Sequence, residues 1–441
     1  MHSRSDEAET ASIASATHDG RGIAALPGKK VFVAGALPGE VVRFKRRRRR
    51  RKRDDAELLE VIETSAARVE PRCAVYGTCG GCWLQHASAD EQRRLKMAAL
   101  QDSLARIGKV EPATWLAPLF DSSGGFNYRR RARLAVKDVG GKGRVLVGFR
   151  ERYVPFITDM HRCEILAHPV DALIDPLSEL VGDLSIRKRL PQIEVAVAEN
   201  AVSLLFRVLD PPSDRDKERF EAFAREHELR VLLQSGGADS IEPLYPAGDA
   251  APLCYQLPDF EVTINFGVLD FIQINAAVNR LMVGEAVRLL DLQSHDRVLD
   301  LFCGIGNFSL PLARSAHEVL GIDLEASQIK RAKDNATWNG IENCRFQSSD
   351  LANIDDSATW LREKWDKLLL DPARSGAAAV VEVIERIAAG RIVYVSCNPG
   401  SLARDAASLV REHGYAFEAA GIVDMFPHTG HVEAIAVFQK T

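Results

Sequence analysis

Hydrophobic positions along the chain change period three times. Between Gly20 and Ile62 they come in short runs broken by Gly and Pro: Gly20–Ala24, Lys30–Ala34, Leu37–Phe44 and Ala56–Ile62. Such runs read as the strands of a small β-barrel of about 50 residues. Leu95, Met97, Leu100 and Leu104 then take helical spacing, predicting a helix from about Ala89 to Ile107. From Asn127 to about Phe266 the runs are again strand-like: Arg133–Val136, Val145–Phe149, Val202–Phe206 and Leu229–Leu233, with a helix near Arg215–His227. From Phe271 onward helices alternate with short apolar runs at Arg297–Phe302, Glu318–Ile322, Asn343–Gln347, Lys367–Leu370 and Arg391–Ser396. A late pair, Ala419–Asp424 and Glu433–Phe438, reads as antiparallel. The alternation predicts a doubly wound sheet covered by helices on both faces.

These patterns divide the chain into a disordered tail (1–19), a barrel (20–68), a central α+β domain (69–265) and a C-terminal α/β domain (266–441). The tail is assigned on its Ser, Ala, Thr, Asp and Glu content, poor in large apolar groups. The helix near 89–107 is expected to pack on the C-terminal domain.

Composition fits this multidomain picture. With 441 residues, 46% hydrophobic and 27% charged, the chain exceeds one ordinary core and has the make-up of a globular protein. No apolar run approaches the ~20 residues of a membrane span. The first 20 residues lack the apolar stretch of a signal peptide, so the expected location is the cytoplasm. Net charge is only −4, yet Arg43 and Lys45–Arg53 place ten basic residues in eleven positions. The run is expected as an exposed hairpin loop of the barrel, suited to the phosphates of a nucleic acid.

Eight cysteines in a long chain without an export signal argue against a disulfide framework. Cys73, Cys79 and Cys82 lie in a glycine-rich stretch, and Cys163 is the best fourth partner. Four thiolates suit zinc or an iron–sulfur cluster. Three close cysteines with one distant one, rather than two short knuckles, favour a [4Fe–4S] cluster.

Two turns carry the remaining chemistry. Asp300-Leu301-Phe302-Cys303-Gly304-Ile305-Gly306-Asn307 runs from a strand through glycines into a helix, and the next strand ends at Asp323. Glycines admit a ligand close to the backbone, and an acid at that distance is placed for ribose hydroxyls. The pattern is not G-x-G-x-x-G, which turns the reading from a nicotinamide dinucleotide toward S-adenosylmethionine. Ser396-Cys397-Asn398-Pro399 follows an apolar strand, where open α/β sheets place their sites. Cys397 is the candidate nucleophile, Asp371 occupies the same place after the preceding strand, and Glu433 begins the final strand as a candidate base. Cys303 is a competing thiol whose side chain is expected to pack inside the cofactor turn.

Together these residues, with Phe271-Ile272-Gln273-Ile274-Asn275 and Asp424-Met425-Phe426-Pro427-His428-Thr429, resemble the RNA uracil-C5 methyltransferases, in particular those acting on 23S rRNA. The resemblance runs from about Gly20 to the end. It implies a TRAM-type barrel of OB-like form, a central domain with a [4Fe–4S] cluster on Cys73, Cys79, Cys82 and Cys163, and a Rossmann-like class I methyltransferase domain. It further implies S-adenosylmethionine held by Gln273, Phe302, Asn307, Asp323, Asp350 and Asp371, Cys397 as nucleophile and Glu433 as general base. Asp323 stands where the family leads one to expect Glu.

The implied partner is a loop of 23S rRNA with a flipped-out uridine, the uracil-1939 site first, acted on by a monomer. The alternatives are another 23S rRNA uridine, the tRNA T-loop uridine, a nicotinamide oxidoreductase, and a non-catalytic iron–sulfur RNA-binding protein.

Overall fold

The computed structural model describes residues 8–248 and 250–441. Strands Glu9–Ala16, Arg21–Ala24, Lys30–Ala34, Val41–Arg49 and Arg53–Glu63 close into a five-stranded barrel. Val31, Val33, Val42, Phe44 and Ile13 point inward in strict alternation and are buried. Two sequence expectations change here. Residues 9–16 are not tail: they form the strand that closes the barrel, paired to Val41–Arg49 on one side and Arg21–Ala24 on the other. Their alternation is written in Ala, Ser and Thr with Ile13 the one large apolar residue, so it carries little hydrophobic signal. Of the expected tail, residues 1–7 lie outside the described residues.

The basic run is likewise not a loop. Most of it is the strand Val41–Arg49, antiparallel to the acidic strand Arg53–Glu63. Arg46 bonds Glu9 and Asp54 at 2.7 Å each, Arg43 pairs with Glu60 at 2.7 Å, and Arg47 pairs with Glu57. Cross-strand opposite charges offset the repulsion that would otherwise keep so many arginines out of a strand.

In the central region a six-stranded sheet has the order Ile241–Tyr245, Leu229–Gln234, Val202–Arg207, Gln192–Val197, Arg131–Val139, Arg144–Gly148. Helix Asp214–Glu226, closed at its start by a Ser213/Asp216 capping box, packs Phe220 and Phe223 onto it. A separate hairpin, Leu253–Leu257 with Val262–Phe266, follows.

The C-terminal sheet has eight strands in the order Cys344–Ser348, Glu318–Asp323, Arg297–Leu301, Lys367–Leu370, Arg391–Ser396, Glu433–Lys440, Tyr415–Val423, Thr114–Trp115. The first five are parallel, and Glu433–Lys440 enters antiparallel between Arg391–Ser396 and Tyr415–Val423. Both faces are dry. Val393 and Val395 join one core while Ile392 and Tyr394 join the other, as a sheet buried on both sides requires.

The edge strand Thr114–Trp115 comes from the segment expected in the central domain and pairs with Ala419 and Ala420. The preceding helix is α-helical over Ala89–Ser103 and ends in a π turn over Leu104–Gly108. Leu100 and Leu104 sit in the core of the C-terminal sheet. Lys96 of that helix is buried and pairs with buried Asp424 at 2.7 Å. Residues 89–119 therefore belong physically to the C-terminal sheet.

Candidate active site

The register of the sheet assembles the site. Leu301 pairs with both Ile322 and Leu370, so the next residues, Phe302, Asp323 and Asp371, leave the sheet side by side at its carboxyl edge. Ser396 pairs with Ala434 in the antiparallel ladder, which brings Cys397 beside Glu433. Two residues far apart in sequence are thus neighbours because the strand Glu433–Lys440 runs the opposite way.

At the glycine turn, Phe302 and Cys303 both donate backbone N–H bonds to the Ile322 carbonyl, at 2.8 and 3.0 Å. Gly304 and Gly306 have φ of +54° and +95°, and Phe302 itself is held at +68°. A positive φ at a bulky residue is unusual and marks a constrained turn. The Gly304 N–H donates to Asp323 Oδ2 at 3.0 Å, tying the acid to the turn. Asn307 makes a reciprocal amide pair with Asn279, and its Oδ1 also accepts the Tyr255 hydroxyl at 2.8 Å.

Cys303 is buried against Gly321, inside the turn and away from the thiol site, as expected for it. Gln273 is buried and its carbonyl accepts from Arg130 Nε at 2.8 Å. Asp350 lies apart, in the loop after Cys344–Ser348. Its carboxylate accepts the N–H groups of Ala352 and Asn353 and the Asn353 side-chain amide, bonds that hold it below its ordinary range.

The acids beneath the turn are strongly perturbed. Burial pushes Asp300 up to about 8, against the bond from Ser309 Oγ and aided by Asp371 and Asp323. Its Oδ1 is buried without a partner. Burial and Asp323 push Asp371 up to about 7, and burial with Asp371 lifts Glu433 well above the carboxylate range. A buried orphaned carboxylate oxygen beneath a glycine turn suits a ligand that brings a cation and hydrogen-bond donors, as S-adenosylmethionine does.

Cys397 is half-buried and lines a cleft of about 1080 Å³, together with Arg374, Asn398 and His431. The opposite walls are the barrel, through Ala14–His18 and Lys30, and the helix Ala89–Ser103. Burial, Glu433 and Asp371 push the thiol up to about 11, and exposed Arg374 opposes them. Gln273, Phe302, Asn307, Asp323 and Asp371 are not on the cleft wall. The thiol thus faces an open cleft, and those five residues lie off its wall.

The four cysteines come together elsewhere. Cys73, Cys79, Cys82 and Cys163 line one small cavity with Gln85, Phe149 and Met160. All four thiols are raised chiefly by burial, with Arg152 opposing it at Cys79. Four thiols facing one cavity suit a thiolate-bound group. Among the described residues, no group of three or more His, Cys, Asp or Glu side chains is arranged to hold a metal ion. Just past this cavity, Trp83 and Leu84 donate N–H bonds to the His428 carbonyl at 2.8 and 3.0 Å, five residues before Glu433.

Reading the sequence missed Lys96 and Gln92, which anchor the helix Ala89–Ser103 to the Asp424–Glu433 segment through Asp424 and His428. The signal was there: Gln92 and Lys96 are polar residues one turn apart on the same helical face as Leu95 and Leu100.

A thiol and an acid at one edge of a doubly wound sheet, beside a glycine turn, are compatible with an S-adenosylmethionine-dependent transferase, and the comparisons with known proteins place the chain in that class. The chain belongs to the tRNA (uracil-5-)-methyltransferase family, whose model matches residues 170–441. It is 45% identical over 433 residues to the Legionella pneumophila (strain Lens) 23S rRNA (uracil(1939)-C(5))-methyltransferase RlmD, covering 98% of this chain and 97% of that one. It is 48% identical over 430 residues to the Methylococcus capsulatus protein of the same name, covering 98% and 96%. The fold matches the crystal structure of Pyrococcus abyssi tRNA (uracil-54, C5)-methyltransferase in complex with S-adenosyl-L-homocysteine, with a TM-score of 0.74 and 24% identity over 97% of this chain and 99% of that one.

Proposed function

We propose that the chain methylates C5 of one uridine in 23S rRNA, with S-adenosylmethionine as donor, and that the uridine is the uracil-1939 site named for its relatives. The observation that carries the chemistry is the ladder pairing Ser396 with Ala434, which sets a thiol beside a buried carboxyl. Identity of 45% and 48% to the 23S rRNA enzymes, against 24% to the tRNA enzyme that matches over the same length, favours rRNA over the tRNA T-loop.

Uracil C5 is a poor nucleophile until C6 is attacked. In our reading the Cys397 thiolate adds to C6 and the electron pair moves onto C5 and the C4 oxygen. The bound donor supplies an electrophilic methyl group on a sulfonium. Once C5 carries it, Glu433 takes the C5 proton, the C5–C6 double bond re-forms, and Cys397 leaves. Arg374 favours the thiolate, and Asp371, set behind the cleft wall and pushed up to about 7, is the candidate contact to the uracil edge once the base passes the thiol. Because the thiol lies within a cleft, the base is expected to be splayed out of its RNA structure to reach it.

Gln273, Phe302, Asn307, Asp323 and Asp371 are assigned to the methyl donor. Asp350 is assigned with them as the more distant, loop-borne member. Cys73, Cys79, Cys82 and Cys163 are assigned to a [4Fe–4S] cluster that braces the loop holding His428. The barrel, residues 9–68 in place of 20–68, is assigned the TRAM role of RNA docking.

A monomer acting in the cytoplasm completes the reading; among the described residues no helix is long and apolar enough to cross a membrane. Mapping 5-methyluridine in 23S rRNA from a strain lacking this protein tests it. Loss at one position and its return on complementation are expected. An unmethylated tRNA T-loop, with 23S rRNA unchanged, would overturn the substrate.

A further inference from the structure

Two of the residues assigned to the methyl donor, Asn307 and Gln273, lie on different segments, yet one buried chain of polar contacts joins them. Asn307 Oδ1 accepts the Tyr255 hydroxyl at 2.8 Å and Asn279 Nδ2 at 2.9 Å, while Asn307 Nδ2 donates to Asn279 Oδ1 at 3.0 Å. The Arg130 guanidinium lies 4.3 Å from the centre of the Tyr255 ring, and Arg130 Nε donates to the Gln273 carbonyl at 2.8 Å. Tyr255, Asn279 and Arg130 are all buried, at 2%, 1% and 4% exposure.

These contacts settle which way the Asn307 amide faces. A carboxamide has one acceptor oxygen and two N–H donors. With both Tyr255 and Asn279 donating to the oxygen, one N–H answers Asn279 and one N–H remains. That remaining donor is what Asn307 can offer a ligand. Tyr255 comes from the hairpin Leu253–Leu257, Asn279 from the helix Ala276–Leu290, and Arg130 from the start of the central sheet. Two segments outside the glycine turn thus converge on its last residue, and a third, through Arg130, links Tyr255 to Gln273.

We propose that Tyr255 and Asn279 are positioning residues of the methyl-donor site, fixing the Asn307 amide and, through Arg130 stacked on Tyr255, coupling it to the Gln273 segment. The inference rests on the assignment of Asn307 to the methyl donor. The network makes that half of the site a property of the central domain as well as of the C-terminal sheet. It also explains why a tyrosine, rather than a phenylalanine, occupies a fully buried position: its hydroxyl has a partner.

The test uses the full-length protein and S-adenosylhomocysteine as probe, measured by calorimetric titration without RNA. Tyr255→Phe keeps the ring under Arg130 and removes only the hydroxyl. It should weaken S-adenosylhomocysteine binding about three- to tenfold, the size of one hydrogen bond. It should also raise the KM for the methyl donor more than it lowers kcat. Asn279→Asp, which places acceptor against acceptor, should weaken binding further, with the titration run well below the thermal midpoint that the buried carboxylate lowers. In an Asn307→Ala background Tyr255→Phe should have no added effect on affinity.

Full affinity in both Tyr255→Phe and Asn279→Asp, with Asn307→Ala impaired, would overturn the positioning role while leaving the assignment of Asn307 standing. Full affinity in Asn307→Ala itself would overturn that assignment, and the inference with it.

Discussion

Asn398 Nδ2 donates to the Arg374 carbonyl at 2.8 Å, and Asn398 Oδ1 accepts from the Gly400 N–H at 3.0 Å to cap the helix Pro399–Arg411. One side chain therefore holds the residue after the thiol, the start of the following helix and the segment carrying Arg374. A helix cap alone is worth about 1 kcal/mol.

Asn398→Ala should cost that cap and also release Arg374. We expect a stability loss of about 1 kcal/mol by denaturant titration, with a larger, about tenfold or greater, loss in single-turnover methylation. A rate loss no greater than the stability loss implies would remove the positioning role.

The Cys397 thiol is pushed up to about 11 by burial, Glu433 and Asp371, with Arg374 acting the other way. Removing a favourable cation raises the pKa, and removing an acid lowers it. In the ligand-free protein, alkylation of Cys397 by iodoacetamide should therefore rise with pH through the alkaline range. The profile should move to higher pH in Arg374→Gln and to lower pH in Glu433→Gln. Unmoved profiles in both variants would mean that neither side chain senses the thiol.

Lys96 and Asp424 form a buried pair that joins the helix Ala89–Ser103 to the segment leading to Glu433, and Lys96 also donates to the Phe426 carbonyl at 2.8 Å. Burial holds the lysine below its ordinary range, opposed by Asp424. Lys96→Met strands a buried carboxylate and should cost about 3–5 kcal/mol. Adding Asp424→Leu should recover part of it. Equal stability of single and double variants would contradict a paired, desolvated interaction.

The cysteine cavity makes a compositional prediction. Anaerobically purified protein should carry about four irons with matching sulfide, as a four-thiolate cluster requires. Chelation should speed proteolysis near Trp83–His428, because the loop after Cys82 holds the His428 carbonyl. One zinc and no sulfide would replace the cluster with a structural zinc site.

Much of this site was legible before any coordinates. Asp371, Cys397 and Glu433 announce themselves as polar residues at the ends of apolar strands, because a fully buried sheet leaves them only its edge. What escaped notice lacked contrast or depended on partners distant in sequence. The barrel strand Glu9–Ala16 alternates small residues and so has almost no hydrophobic amplitude. The arginine run resembles a solvated loop until the acids of Arg53–Glu63 lie across from it. Lys96 and Tyr255 look like ordinary helix and strand residues. Their roles arise from Asp424, 328 positions away, and Asn307, 52 away.

The most direct measurement is the trapping of the covalent step. An RNA fragment bearing 5-fluorouridine at the target, incubated with the protein and S-adenosylmethionine, cannot lose fluorine as it would a proton. Denaturing gels should show a stable protein–RNA adduct with the wild-type chain, and none with Cys397→Ala. With unmodified RNA, Glu433→Gln should accumulate a methylated adduct that turns over slowly. An adduct that persists in Cys397→Ala would contradict the account and move the nucleophile to another thiol.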